Sequence, residues 1–127
     1  MAKINEALDM CVELGKIISE TDEYQAMKKA EADLLHNDDA RLVVEGLQML
    51  QMEIQKKKLA GVQLTEADKK NMIEAEAKAI ENPVVKASFE AHEKFQGVMT
   101  LVSTKIREGI RVKEQSEMLE DEELAEE

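Results

Sequence analysis

Residues 82–112 read NPVVKASFEAHEKFQGVMTLVSTKIREGIRV, and their apolar spacing predicts one long helix. Asn82 precedes Pro83, a residue that favours the first position of a new helix. Small and apolar residues then recur at alternating intervals of four and three, which is typical of one helix face: Val84, Ser88, Ala91, Phe95, Val98 and Val102. The stretch therefore predicts a helix over about residues 83–112 with a coiled-coil type of seam.

This predicted helix is too long for the rest of the chain to cover. Thirty residues make about 45 Å of helix, whereas a compact chain of this length has a diameter of about 36 Å. Another chain is expected to cover the surplus apolar stripe, so we predict a homodimer or a higher oligomer. The predicted interface is the set of apolar residues along the middle of the helix: Phe89, Phe95, Val98, Met99, Val102 and Ile106.

Four shorter helices are predicted before this one. The breaks between them contain Ser, Thr, Asn and Asp, whose side chains cap helix N-termini. The predicted spans are residues 4–19, 22–36, 39–60 and 66–81. Gly61 is expected to follow the end of the third helix. Thr65 to Asp68 resembles a capping box, with Asp in place of the usual Glu, before the fourth. We predict an all-α fold of about five helices in antiparallel helical hairpins, dimerising through the long last helix.

The composition agrees with an all-helical domain. Gly (5) and Pro (1) are scarce, aromatic residues are 2%, and 43% of the 127 residues are hydrophobic. The net charge of −11 is uneven, because residues 114–127 hold eight acids and no Lys or Arg. We call these residues the acidic segment. The expected organisation is one helical domain over residues 1–113, followed by the acidic segment as a tail that folding does not need.

The sequence lacks the residue patterns of common enzymes and metal sites. A di-iron bundle needs repeated Glu-x-x-His pairs, and the nearest approach, Asp33 with His36, occurs once. Cys11 lies on an apolar stripe and is predicted to be buried and inert. The five glycines are too scattered for a phosphate-binding loop. We expect no catalytic residue, metal or cofactor, although a metal-binding helical bundle and a structural homodimer of another role stay open as alternatives.

Charge and hydropathy also limit the classes of partner. The basic clusters at residues 56–58 and 105–113 lack aromatic platforms, and the acidic segment would be repelled by DNA or an anionic membrane. Direct nucleic-acid binding and membrane association are therefore not expected. No apolar run is long enough to span a membrane. A single cysteine and the absence of a signal-peptide pattern indicate the cytoplasm.

Several motifs resemble the YlbF/YmcA family of small helical proteins from Gram-positive bacteria. The most specific is Asn82-Pro83-Val84-Val85-Lys86, followed by the stretch from Glu90 to Phe95. Three further stretches add to the resemblance: Glu20-Thr21-Asp22-Glu23-Tyr24, the Asn-Asp-Asp break at residues 37–39, and the Leu-Gln-rich run at residues 46–51. The resemblance covers about residues 5–110 and leaves the acidic segment outside.

The resemblance implies a helical dimer or heteromer that regulates competence, biofilm formation and sporulation. Some members act in a complex that adjusts ribonuclease Y and messenger-RNA processing, so family paralogues or a ribonuclease-associated complex are implied as partners. Other members carry C-terminal cysteines that help to hold iron–sulfur clusters. This chain has only Cys11, so that property is not carried over. The family supplies no catalytic residues.

Overall fold

The computed structural model describes residues 2–126, with side chains described for residues 2–122, and this part of the chain is all-helical. Its five helices are α1 (Ala2–Ile18), α2 (Asp22–Leu35), α3 (Asp38–Leu59), α4 (Glu66–Ala79) and α5 (Pro83–Glu126). The predicted all-α fold of five helices with a long last helix is confirmed. The chain divides into two compact units, residues 1–93 and residues 94–127. The first holds α1–α4 and the start of α5, and the second is the remainder of α5.

The starts of α2 and α3 are capped by the side chains that the sequence indicated. The Thr21 hydroxyl oxygen accepts a hydrogen bond from the Tyr24 backbone N–H at 3.2 Å. The Asn37 amide oxygen accepts one from the Ala40 N–H at 2.9 Å. Each bond satisfies a backbone donor that has no partner inside its own helix. These two caps fix where the chain turns from one helix into the next.

A Schellman motif ends α3. Gly61 has φ +75°, a left-handed conformation that glycine adopts without a steric penalty. The Val62 N–H donates to the Lys57 carbonyl oxygen at 2.9 Å, and the Gly61 N–H donates to the Lys58 carbonyl oxygen at 3.2 Å. The prediction that Gly61 follows the end of the third helix is therefore confirmed.

The capping box before α4 is also confirmed. The Thr65 hydroxyl oxygen accepts from the Asp68 backbone N–H at 3.1 Å, and the Asp68 carboxylate accepts from the Thr65 N–H at 3.1 Å. Asp68 pairs in addition with the Lys57 ammonium at 2.9 Å. The hydrogen bond from Lys57, followed by that from the Thr65 backbone, holds the pKa of Asp68 below its ordinary value of 3.8. The Asp68 carboxylate thus completes the capping box of α4 and ties α4 to α3.

The core of the first unit is small and lies where α3 and α4 meet the beginning of α5. Its buried cluster consists of Ala40, Leu47, Ala79 and Val85. Half-buried residues, including Met72 and Phe89, pack around this cluster. Helix α3 packs against both α2 and α4. Ala40 and Ala79 are small residues, which allow the backbones of packed helices to lie close together.

Two sequence predictions are wrong. Helix α5 was expected to end near Val112, but it continues to Glu126, because Lys, Gln, Glu, Met and Leu are good helix formers and no Gly or Pro follows. Lys113 and Glu117 add an i,i+4 pair at 3.9 Å in that extension. Cys11 was expected to be buried, but it is exposed. The reason is that α1 buries none of its residues in this chain, so its apolar stripe stays uncovered.

Candidate interaction surfaces

The Asn82-Pro83-Val84-Val85 motif fixes the beginning of α5. The Asn82 amide oxygen accepts from the Val84 N–H at 3.0 Å and from the Val85 N–H at 3.4 Å. Pro83 occupies the first helical position, where its missing N–H costs nothing. Val85 is fully buried in the core cluster, and Val84 packs against that cluster. The motif therefore sets the start and the anchorage of the long helix, which is a structural role.

The six predicted interface residues have different surroundings. Phe89 is half-buried and packs against the core cluster of the first unit. Three residues of the second unit are also half-buried: Phe95, Val98 and Val102. Met99 and Ile106 are more open, with 38% and 52% of their surface exposed. The assignment of these six residues to an interface stays a prediction.

Within the second unit, the α5 stripe is a defined apolar surface: Phe95, Val98, Met99, Val102, Ile106 and Ile110. Their spacing places them within about one third of the helix circumference. Ile110 has 56% of its surface exposed, so the stripe extends past the residues predicted as an interface. Large apolar side chains that stay exposed along one helix face, as Met99, Ile106 and Ile110 do, are typical of a surface that another protein covers.

A second apolar surface was not recognised as such from the sequence. Helix α1 exposes Ile4 and Leu8, each by 55% of its surface, together with Cys11 on the same face; we call these residues the α1 stripe. Sequence periodicity identified this stripe, but periodicity alone does not say whether the same chain or another one covers it. The structure leaves it open to a partner.

A third surface, the α3–α4 groove, runs between these two helices. Its middle part has a volume of about 490 Å³ and an apolar floor that includes Ile54, Leu64, Met72 and Ile73. Sequence reasoning missed it, because its lining comes from two helices and the intervening loop. The lysine cluster at residues 56–58 contributes Lys58 to this lining.

Titratable residues do not form a reactive constellation in the part of the chain with described side chains. His92 lies 3.5 Å from the Glu31 carboxylate, and both side chains are substantially exposed. Within residues 2–122, no group of three His, Cys, Asp or Glu residues could hold a metal ion. Among the described helices, none combines the length and the apolar character needed to cross a membrane. The surfaces that stand out are apolar ones.

Comparison with known proteins relates the chain to one family. The family profile described as "Control of competence regulator ComK, YlbF/YmcA" matches residues 7–111. A UPF0342 protein of Streptococcus suis strain 05ZYH33 is 33% identical over 81 residues, which are 64% of this chain and 72% of that protein. No solved structure matches the chain.

Two further relatives match the chain over a smaller part of their length. A UPF0342 protein of Halalkalibacterium halodurans is 29% identical over 65 residues, which are 51% of this chain and 56% of that protein. One of Alkalihalophilus pseudofirmus is 31% identical over 65 residues, 51% of this chain and 55% of that protein. The chain thus spans little more than half the length of these two relatives. The profile nevertheless covers most of the chain, from α1 into α5, and the chain belongs to the YlbF/YmcA family.

Proposed function

We propose that this chain is a non-enzymatic, cytoplasmic regulatory adaptor of the competence-control type, which self-associates and acts by binding other proteins. The observation that supports the proposal most directly is the α5 stripe, where Met99, Ile106 and Ile110 keep 38–56% of their surface exposed. Apolar residues left open along one helix face are typical of a partner-binding surface, which supports this proposal. Family membership supports a regulatory role in competence.

Self-association through the α5 stripe would bury apolar surface that the chain itself leaves open. Each Å² of apolar area removed from water contributes about 25 cal/mol. A stable helical interface buries on the order of 2,000 Å² in total. The α1 stripe, with Ile4 and Leu8 each 55% exposed, is a further apolar surface available for such an assembly.

The proposed partners are family paralogues and a ribonuclease-associated complex. Family paralogues with matching helices could replace one copy in a heteromer. A ribonuclease Y-dependent complex that processes messenger RNA is the proposed target of regulation, with biofilm formation and sporulation affected together with competence. In this scheme the chain contributes surfaces and no chemistry.

The test replaces the native gene with variants of the α5 stripe. Met99→Asp with Ile106→Asp places two charges on the stripe at exposed positions, so folding should be retained. Thr100→Asp with Thr104→Asp adds the same charge on the opposite face of α5, also at exposed positions, and is the matched control.

The stripe variant should lose self-association and reduce the transformation frequency of the cell to that of a gene deletion. The control should behave as the wild type in both measurements. A stripe variant that is monomeric and yet supports full competence would show that self-association is not required for the function.

A further inference from the structure

The α3–α4 groove is longer than its middle part. One neighbouring depression shares Lys58, Leu64 and Lys69 with it and extends towards Gly61. Another shares Gln51 and Ile73 and extends in the other direction. Along α3 the lining runs from Leu47 to Lys58, which is about 16 Å of helix. The groove can therefore accept about three turns of another helix.

The two ends of the groove carry opposite charges. Lys58 and Lys69 lie at the end next to Gly61, and Glu76 lies towards the other end. Among the described residues, Lys58 has no ion-pair partner. Lys69 reaches only Glu66, at 4.0 Å, and both side chains are largely exposed. The Gly61 end thus offers two ammonium groups beside an apolar floor.

The last part of α5 carries the complementary pattern. One helix face of α5 presents, in order, Arg111, Gln115, the apolar pair Met118 and Leu119, and then Glu122. Met118 and Leu119 expose 63% and 61% of their surface. From Arg111 to Glu122 this face is about 16 Å long, the same length as the lining of α3. This face begins with the cation Arg111 and ends with the acid Glu122.

We propose that the α3–α4 groove of one copy binds the Arg111–Glu122 face of α5 from a second copy. In this arrangement Glu122 meets Lys58 and Lys69, Met118 and Leu119 cover Met72 and Ile73, and Arg111 faces Glu76. The bound helix runs parallel to α3 and antiparallel to α4. The inference rests on the proposed self-association and adds a second, charge-dependent contact to it.

In the proposed dimer each copy supplies both a groove and a helix face. The proposal can therefore be tested by exchanging the charges of these two surfaces in full-length chains. The groove variant carries Lys58→Glu and Lys69→Glu. The segment variant carries Asp121→Lys and Glu122→Lys. Its matched control carries Glu117→Lys and Glu120→Lys, which make the same charge change on the opposite face of α5. All six side chains lie at the surface, and far-UV circular dichroism verifies that each variant keeps its helices.

Sedimentation velocity then measures the self-association constant of each protein. The groove variant and the segment variant should each weaken self-association at least about tenfold, because like charges then meet in both contacts of a dimer. An equimolar mixture of the two should recover the wild-type mass, because both contacts of the mixed dimer again pair opposite charges. The control variant should keep the wild-type constant.

Three results would overturn the proposal. The first is an unchanged self-association constant for both charge variants. The second is a weakened constant that mixing does not restore, and the third is an equal loss in the control. If the wild-type chain dimerises and the charge variants dimerise equally well, only this inference fails. If the wild-type chain is monomeric at all concentrations, the proposed self-association fails with it.

Discussion

Lys57 of α3 and Asp68 of α4 are joined by an ion pair of 2.9 Å, and Asp68 also accepts a hydrogen bond from the backbone N–H of Thr65, the N-cap residue of α4. The Asp68 side chain is only 19% exposed. The pair therefore couples the last turn of α3 to the first turn of α4. It also fixes the backbone next to Lys58 and Lys69, the two cations at the end of the α3–α4 groove.

This pair predicts a pH dependence of stability. The pKa of Asp68 is lowered in the folded chain from its ordinary value of 3.8, mainly by the hydrogen bond from Lys57. Its stabilising contribution is therefore fully present above the unfolded pKa and is lost as the pH falls through the lower, folded pKa. Asp68→Asn, which keeps an oxygen for the cap but removes the charge, should lower the Tm at pH 7.

Thermal unfolding between pH 7 and pH 2 checks this prediction. The difference in Tm between wild type and Asp68→Asn should be largest above pH 5 and should shrink below pH 3.8, as the wild-type carboxylate becomes protonated. Asp38→Asn removes an acid whose side chain is 84% exposed and serves as the control with a smaller effect. A gap in Tm that is constant over the whole pH range would contradict the assignment.

Two glycines should respond to alanine with opposite signs. Gly61 has φ +75°, so Gly61→Ala should destabilise the chain by about 1–2 kcal/mol. Gly46 lies inside α3, and a Cβ there would meet nothing within 4 Å, so Gly46→Ala should stabilise by about 0.5–1 kcal/mol. Urea unfolding measures the free energy of unfolding of each variant relative to the wild type. A Gly61→Ala protein as stable as the wild type would show that the Schellman motif does not contribute to stability.

The core cluster should depend strongly on the family motif. Val85 is fully buried, and Val85→Ala removes two methyl groups, so it should cost about 2 kcal/mol of unfolding free energy. Leu42→Ala is a larger truncation at a position that is 65% exposed, and it should change stability by less than about 0.5 kcal/mol. Equal effects of the two substitutions in a chemical denaturation series would mean that Val85 does not anchor α5.

Sequence reasoning succeeded where local chemistry decides the structure. Each of the confirmed helix ends depends on residues only a few positions apart. They are the caps at Thr21 and Asn37, the capping box of Thr65 and Asp68, and the left-handed Gly61. The proline at the start of α5 is a signal of the same kind. Such short-range patterns locate the helices within one or two residues, apart from the C-terminal end of α5.

Properties that depend on distant residues were not predictable. The exposure of Cys11 depends on whether another element covers α1, and an amphipathic stripe looks the same in either case. The α3–α4 groove arises from the spacing of two helices and the Leu64 loop, so no single segment reveals it. The acidic composition of residues 114–127 suggested a tail, whereas α5 continues to Glu126 because these residues are good helix formers.

Removing the acidic segment should separate folding from association. Deletion of residues 114–127 should leave the helical signal per remaining residue unchanged, because no described residue of this segment is buried. It should weaken self-association, most clearly at low salt, since contacts between exposed charges are screened over about 8 Å at physiological ionic strength. If circular dichroism shows that the truncated chain unfolds, the domain boundary near Lys113 is wrong.

The mass of the full-length chain in solution tests the central claim most directly. Sedimentation equilibrium at low micromolar concentration should give twice the chain mass of 14.3 kDa, or a higher multiple, for the wild type and for Thr100→Asp with Thr104→Asp. Met99→Asp with Ile106→Asp should shift the distribution to the single chain. A wild-type protein that sediments as a 14.3 kDa monomer over the whole concentration range would contradict self-association through the α5 stripe.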